Sequence, residues 1–97
     1  MSEDWRARAY NLLEVARGLK GDLKTAFVYF VEGVSVGDLR ALGDLRKRGV
    51  RDPASAIEGL IELGLIERGR DCFNLSEPLR RMVYERGLEA VERALEG

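Results

Sequence analysis

Apolar and polar positions along the chain recur mostly at helical spacing. Trp5, Ala9, Leu12, Ala16 and Leu19 follow one another at steps of four, three, four and three, which predicts a first helix over about residues 2–20 with one sticky seam. Ser2 is its expected N-cap, with Glu3 and Asp4 in the first turn, and Gly18 and Gly21 end it. Asp22 is then the expected cap of LKTAFVYFVEG. The run Phe27–Val31 has strand propensity, but Leu23, Phe27, Phe30, Val31 and Val34 continue one helical face without a turn residue, so a helix is expected. Its apolar content on nearly every side predicts a central, buried element.

Val34, Ser35 and Val36 predict a short extended stretch, after which Ser35 is the expected cap of a third helix, with Asp38 as its capping-box partner. Leu39, Leu42 and Leu45 are assigned to the core. Arg46-Lys47-Arg48-Gly49-Val50-Arg51 makes the following turn, with Gly49 as the left-handed break and Val50 as the apolar plug. DPASAIEGLIELG, residues 52–64, has the marks of a complete short helix. Asp52 can accept from the free amides of the first turn, Pro53 stands where a missing N–H costs nothing, and Gly64 supplies the C′ position. Ala56, Ile57, Leu60, Ile61 and Leu63 form its apolar stripe; Ser55, Glu58, Gly59 and Glu62 form the presented face. LIERGRDCFNL then predicts a hairpin, with Leu65 to Arg68 and Cys72 to Leu75 paired around a glycine-first turn at Gly69-Arg70. Ser76 is the expected cap of a last helix over about 77–96, whose stripe of Leu79, Met82, Val83, Ala90, Val91, Ala94 and Leu95 is bent at Gly87.

A presented helix running straight into a hairpin, with the junction IEGLIELGLIERG, resembles the recognition helix and wing of the winged helix-turn-helix superfamily. The resemblance covers about residues 23–75. It implies a mainly α fold with a small β-hairpin: one winged-helix domain over 1–97, with extra N- and C-terminal helices. It is specific for fold more than function, since such domains bind DNA, RNA or other proteins. The turn at 46–51 departs from the pattern by being longer or more basic than usual.

Composition narrows the function. Apolar residues make up 45%, yet no run approaches the roughly 18 needed to cross a membrane. With no basic-then-apolar leader, a cytoplasmic protein is expected. The lone Cys72 excludes a disulfide scaffold, and the absence of histidine closes imidazole chemistry and leaves zinc improbable. No phosphate-binding glycine motif is present, and the carboxylates fall on helix surfaces or caps. Neither an enzyme nor a bound cofactor is expected. Thirteen of 16 basic residues are Arg, Gln is absent, and Asn occurs only at 11 and 74, a composition suggesting a thermophilic source.

The net charge of −1 argues against coating nucleic acid by bulk charge. Basic residues lead acidic ones by only one over 35–70, the segment where a winged helix would meet DNA. There the resemblance places Arg46, Lys47, Arg48 and Arg51 in the turn and Arg68 and Arg70 on the wing, on either side of the presented helix. Such an arrangement can clamp phosphates of duplex DNA, with Ser55 as the one easy donor from the helix itself. A transcriptional regulator or DNA-associated accessory factor follows as the leading expectation. Glu58 and Glu62 work against it, because they would meet phosphates; with Gly59, whose mid-helix position suggests close approach of another backbone, they favour a module docking on a polymerase or transcription complex. Apolar stripes at both ends, including Trp5, Leu12, Val83, Val91 and Leu95, exceed what one small domain needs and predict a homodimer.

Overall fold

The computed structural model describes residues 4–96. They form six helices and three strands: α1 (Trp5–Arg17), α2 (Gly21–Gly33), β1 (Ser35–Gly37), α3 (Asp38–Lys47), α4 (Pro53–Glu62), β2 (Ile66–Arg68), β3 (Cys72–Leu75), α5 (Glu77–Arg86) and α6 (Leu88–Glu96). The expected cap Ser2 lies outside the described residues. Asp4 caps α1 instead, accepting from the Ala7 N–H at 3.3 Å. Of the expected seam, Ala9, Ala16 and Leu19 are buried and Trp5 and Leu12 half-buried, while Leu13, outside that seam, is fully buried beside it.

The ambiguous run in the second segment is helical, because α2 is covered on most sides. Ala26, Phe27, Tyr29, Phe30 and Val31 are all buried, and the Phe30 ring meets Tyr29 and Phe73 edge-on at centroid distances of 5.2 and 6.2 Å. Such coverage outweighs the strand propensity of single residues. Asp22 does not cap this helix. Lys20 holds the N-cap position without a side-chain bond, and the Asp22 carboxylate accepts from the Arg51 N–H at 3.2 Å, tying α2 to the α3–α4 turn. At the other end Val34 adopts φ 63°, which a β-branched residue rarely does. Two 2.7 Å bonds hold it there: its N–H donates to the Phe30 carbonyl, and its own carbonyl accepts from the Leu75 N–H.

That turn feeds β1, a strand the sequence signals only as an extended stretch. The antiparallel sheet has the order β1-β3-β2, with Val36 opposite Phe73 and Glu67 opposite Asn74. Ser35 therefore sits in a strand, where its hydroxyl donates to the Asn74 side-chain amide oxygen Oδ1 at 2.6 Å, and does not cap α3. Gly37 occupies that N-cap, and Asp38 bonds its neighbour's N–H, Leu39, instead of completing a capping box. In the hairpin the left-handed residue is Asp71 at φ 59°, not Gly69. A side chain at 69 would displace its neighbours, since a Cβ would lie 2.7 Å from Cys72 Sγ and 2.9 Å from the Asn74 side-chain nitrogen.

Ser76 stands at the N-cap of α5, but its hydroxyl is buried without a partner; Glu67 of β2 reaches across to accept from the Glu77 N–H at 3.0 Å. Gly87, at φ 91° and ψ 159°, does more than bend the last helix. It divides it, so α6 turns back and α1, α5 and α6 pack on one another. Arg6–Glu85 at 2.9 Å, Arg86 to the Tyr10 hydroxyl at 2.7 Å and Arg17 to the Ala94 carbonyl at 2.7 Å lace this layer together. Part of the apolar surface behind the homodimer expectation packs within the chain: Val91 is fully buried, and Trp5, Leu12, Val83 and Leu95 are partly buried against the same core. No helix among the described residues is long and apolar enough to cross a membrane.

Candidate interaction surface

The segment that sequence reasoning singles out, from α3 through the hairpin, is built largely as expected around α4. The Asp52 carboxylate accepts from the Ser55 N–H at 3.2 Å and from the Ser55 hydroxyl at 3.0 Å. Those two donors, with the Arg46 guanidinium nearby, hold the Asp52 carboxyl below its usual range. Gly64 takes φ 78° one residue past the C-cap Leu63. Ala56, Ile57 and Leu60 are buried, Ile61 partly, whereas Leu63 is 41% exposed because the helix ends before it can turn inward.

The presented face is more occupied than the sequence indicates. Ser55 spends its hydroxyl proton on Asp52. Glu58 binds Arg68 at 2.6 Å, clasping the hairpin to α4, while the same guanidinium lies 5.3 Å from the Phe73 ring centre. Gly59 looks inward rather than outward. A Cβ there would stand 3.0 Å from Leu23 Cδ2, so the close approach its presence signals is to the chain's own α2. Glu62 is exposed, with no ion pair among the described residues.

The basic turn is likewise interleaved with acids. Gly49 at φ 92° and the buried Val50 set its path. Arg48 pairs with Glu32 at 3.1 Å and stacks 5.0 Å from the Tyr29 ring centre. Beside it, Tyr29 donates to Asp44 at 2.6 Å. Burial and that bond push the Tyr29 hydroxyl up to about 12, and the same bond, with Arg40 and Lys47 adding to it, pulls Asp44 down. Four expected phosphate contacts, Arg46, Lys47, Arg51 and Arg70, are exposed without an ion pair among the described residues, but Arg46 lies near Asp52, Lys47 near Asp44, and the Arg51 backbone against Asp22. The structure brings the turn cations together and gives them carboxylate neighbours. Such a surface has little excess positive potential to offer a polyanion.

Two residues of this segment escape the sequence reading. Leu39, assigned to the core, is 80% exposed, and Gly43, one turn further along α3, faces open space. Three-residue spacing drifts about 60° around a helix at each step, so Leu39 and Leu45 stand about 120° apart, and Ala41 with Leu45, both fully buried, mark the true inner side. The burial of Ala41 is a signal a short side chain gives too weakly to read.

No curated protein matches the chain. A family model does, over residues 20–81, which is α2 through the first turn and a little more of α5 and well over half of the sequence. Its description is PolB1 Binding Protein 2. The chain belongs to the PolB1 Binding Protein 2 family.

Proposed function

We propose that this chain is a non-catalytic accessory protein that docks on a PolB1 polymerase. The observation that carries the reading is the family match over residues 20–81. The geometry supports it against a free-standing duplex-DNA binder. Arg48 and Arg68, two of the six basic residues of the expected clamp, pair with Glu32 and Glu58, and the donor Ser55 bonds Asp52, which reduces the net positive charge and free donors this face offers a phosphate backbone. The order helix, strand, helix, helix, strand, strand, with sheet order β1-β3-β2, supports reading the same segment as a winged helix, with α4 presented and the β2–β3 turn as the wing.

Size-exclusion chromatography of the purified protein with the cognate PolB1 polymerase tests this directly. Co-elution at low micromolar concentration is expected, together with duplex-DNA affinity that stays weak and falls little with added salt. Failure to co-elute, combined with tight salt-sensitive binding to duplex DNA, overturns the reading in favour of a DNA-binding protein.

A further inference from the structure

The matched segment contains two of the exposed large apolar side chains, Leu39 and Leu63, and Leu39 is more exposed than any other large hydrophobic among the described residues. Successive helical residues are about 100° apart. Leu39, Gly43 and Arg46 therefore share one narrow strip of α3, with Lys47 at its margin, almost opposite the buried side carrying Ala41 and Leu45. Apart from its chain neighbours and its own helix backbone, no described atom lies within 4 Å of a Cβ built at Gly43, so no tertiary contact calls for glycine there, although glycine weakens a helix interior. An apolar knob beside a notch one turn away is the shape that receives another helix. Cations bracket the strip. Arg46 and Lys47 stand at its C-terminal end. Arg70 lies at the other, because the hairpin turn is fastened to the start of α3 by the Asp38 N–H donating to the Asp71 carbonyl at 3.0 Å.

Building on the docking reading above, we infer that the outer strip of α3, Leu39-Gly43-Arg46, is where the polymerase binds, through a helical segment that places a side chain in the Gly43 notch and carboxylates against Arg46, Lys47 and Arg70. An exposed leucine and a vacant notch suit a protein surface. Phosphates would be served by the cations alone, and the acids interleaved with them weaken that use.

Leu39 and Gly43 are open to substitution without disturbing the fold, since the leucine is 80% exposed and a Cβ at the glycine meets open space. Leu39→Glu keeps helix stability by placing a carboxylate in the first turn. It should weaken binding to the PolB1 polymerase at least about 100-fold, while Gly43→Leu, which fills the notch, should weaken it at least about 10-fold. Those fold-changes correspond to roughly 2.7 and 1.4 kcal/mol. The double variant Arg46→Glu/Lys47→Glu should weaken binding and reverse its salt dependence. Tyr84→Ala, at an equally open position on α5 beyond residue 81, should leave binding within about twofold. If the unaltered protein binds polymerase and both Leu39→Glu and Gly43→Leu bind within twofold of it, the inference is overturned and the docking reading stands. Should the unaltered protein not bind polymerase at all, both fall together. Loss of duplex-DNA affinity in Leu39→Glu with polymerase binding intact would overturn the inference by making the strip a DNA face.

Discussion

Helices α3 and α4 have the same length and are joined by one turn, yet the side chains on their outer faces are used differently. In the sequence α4 is the presented element and α3 its support. In the structure several residues of α4 are tied to the rest of the chain: Asp52 caps its start, Leu60 is fully buried, Gly59 nestles on Leu23, and Arg68 pairs with Glu58 on its outer side, while Glu62 stays exposed. By contrast, α3 has no side-chain cap, and its outer strip carries an 80% exposed leucine and an open glycine. Periodicity reports which face of a helix is buried. What lies over the other face depends on groups distant in sequence, and those decide which helix is free to meet a partner.

Leucine truncation breaks this comparison most sharply. Leu60→Ala removes a side chain with no exposed surface and should cost about 2–5 kcal/mol, depending on how far the cavity collapses. Leu39→Ala, on the open strip, should change stability by no more than about 0.5 kcal/mol. Urea unfolding of the two variants measures both. Similar losses in each would mean that Leu39 is covered in solution and that the exposed strip does not exist.

Much of the fold was legible because it rests on local rules. The Asp52-Pro53 start and Gly64 end of α4, the Gly49 break and the Val50 plug all depend on backbone conformations that few residue types supply. The misses are of another kind. Ser35 looks like a helix cap, but it pairs with Asn74, 39 residues away, and Ser76 leaves its capping role to Glu67. Gly87 ends a helix whose apolar stripe continues beyond it, because α6 can bury Val91 only by turning back against α1. For the candidate surface, the residues are legible in the sequence and their partners are not: Glu58 and Arg68 each read as ligand contacts, and in the structure they bind one another.

Glycine-to-alanine changes sharpen the contrast at about 1 kcal/mol. At Gly43 a methyl group meets nothing, so the full helix-propensity gain of roughly 0.8–1 kcal/mol should appear, raising the melting temperature by several degrees. At Gly59 the added methyl group stands 3.0 Å from Leu23 Cδ2, and displacing that half-buried leucine should cancel the gain or reverse it. Calorimetry giving equal stabilisation at both positions would remove the claim that α4 is pressed against α2.

The α2–α3 junction answers to pH. The folded-state Tyr29 hydroxyl is raised to about 12 from an ordinary 10, so its contribution is complete below pH 10 and is lost as pH climbs through the folded value. Asp44 is lowered instead; its share is present above the ordinary 3.8 and disappears as acid takes pH down through its folded value. Stability from this bond should therefore hold across neutral pH and fall at either extreme. Tyr29→Phe should abolish the Tyr29-linked part of the alkaline decline between pH 10 and 12, which denaturant midpoints over that range would reveal. A slope unchanged in the variant would place the titrating group elsewhere.

The smallest effect concerns the two helix starts, one capped and one not. Asp52→Ala strips α4 of a bonded cap and should lower the melting temperature at neutral pH. Because the Asp52 carboxyl is held below its usual range, that stabilisation is present above the ordinary 3.8 and is lost as pH falls through the folded value, so the deficit of the variant should shrink in acid. Gly37→Ser does the reverse on α3. Its backbone, at φ −58° and ψ 146°, suits any residue, and a Cβ there meets nothing within 4 Å. The Leu39 N–H is already bonded to Asp38, which leaves the Arg40 N–H, three residues into the helix, as the donor a serine hydroxyl could accept from. Replacing glycine by serine at an N-cap gains only a few tenths of a kcal/mol. That is about one or two degrees in a domain of this size, with no change at acid pH. A loss on Gly37→Ser would show that the start of α3 is fixed by its pairing with Cys72 in the sheet so tightly that no side chain can improve it.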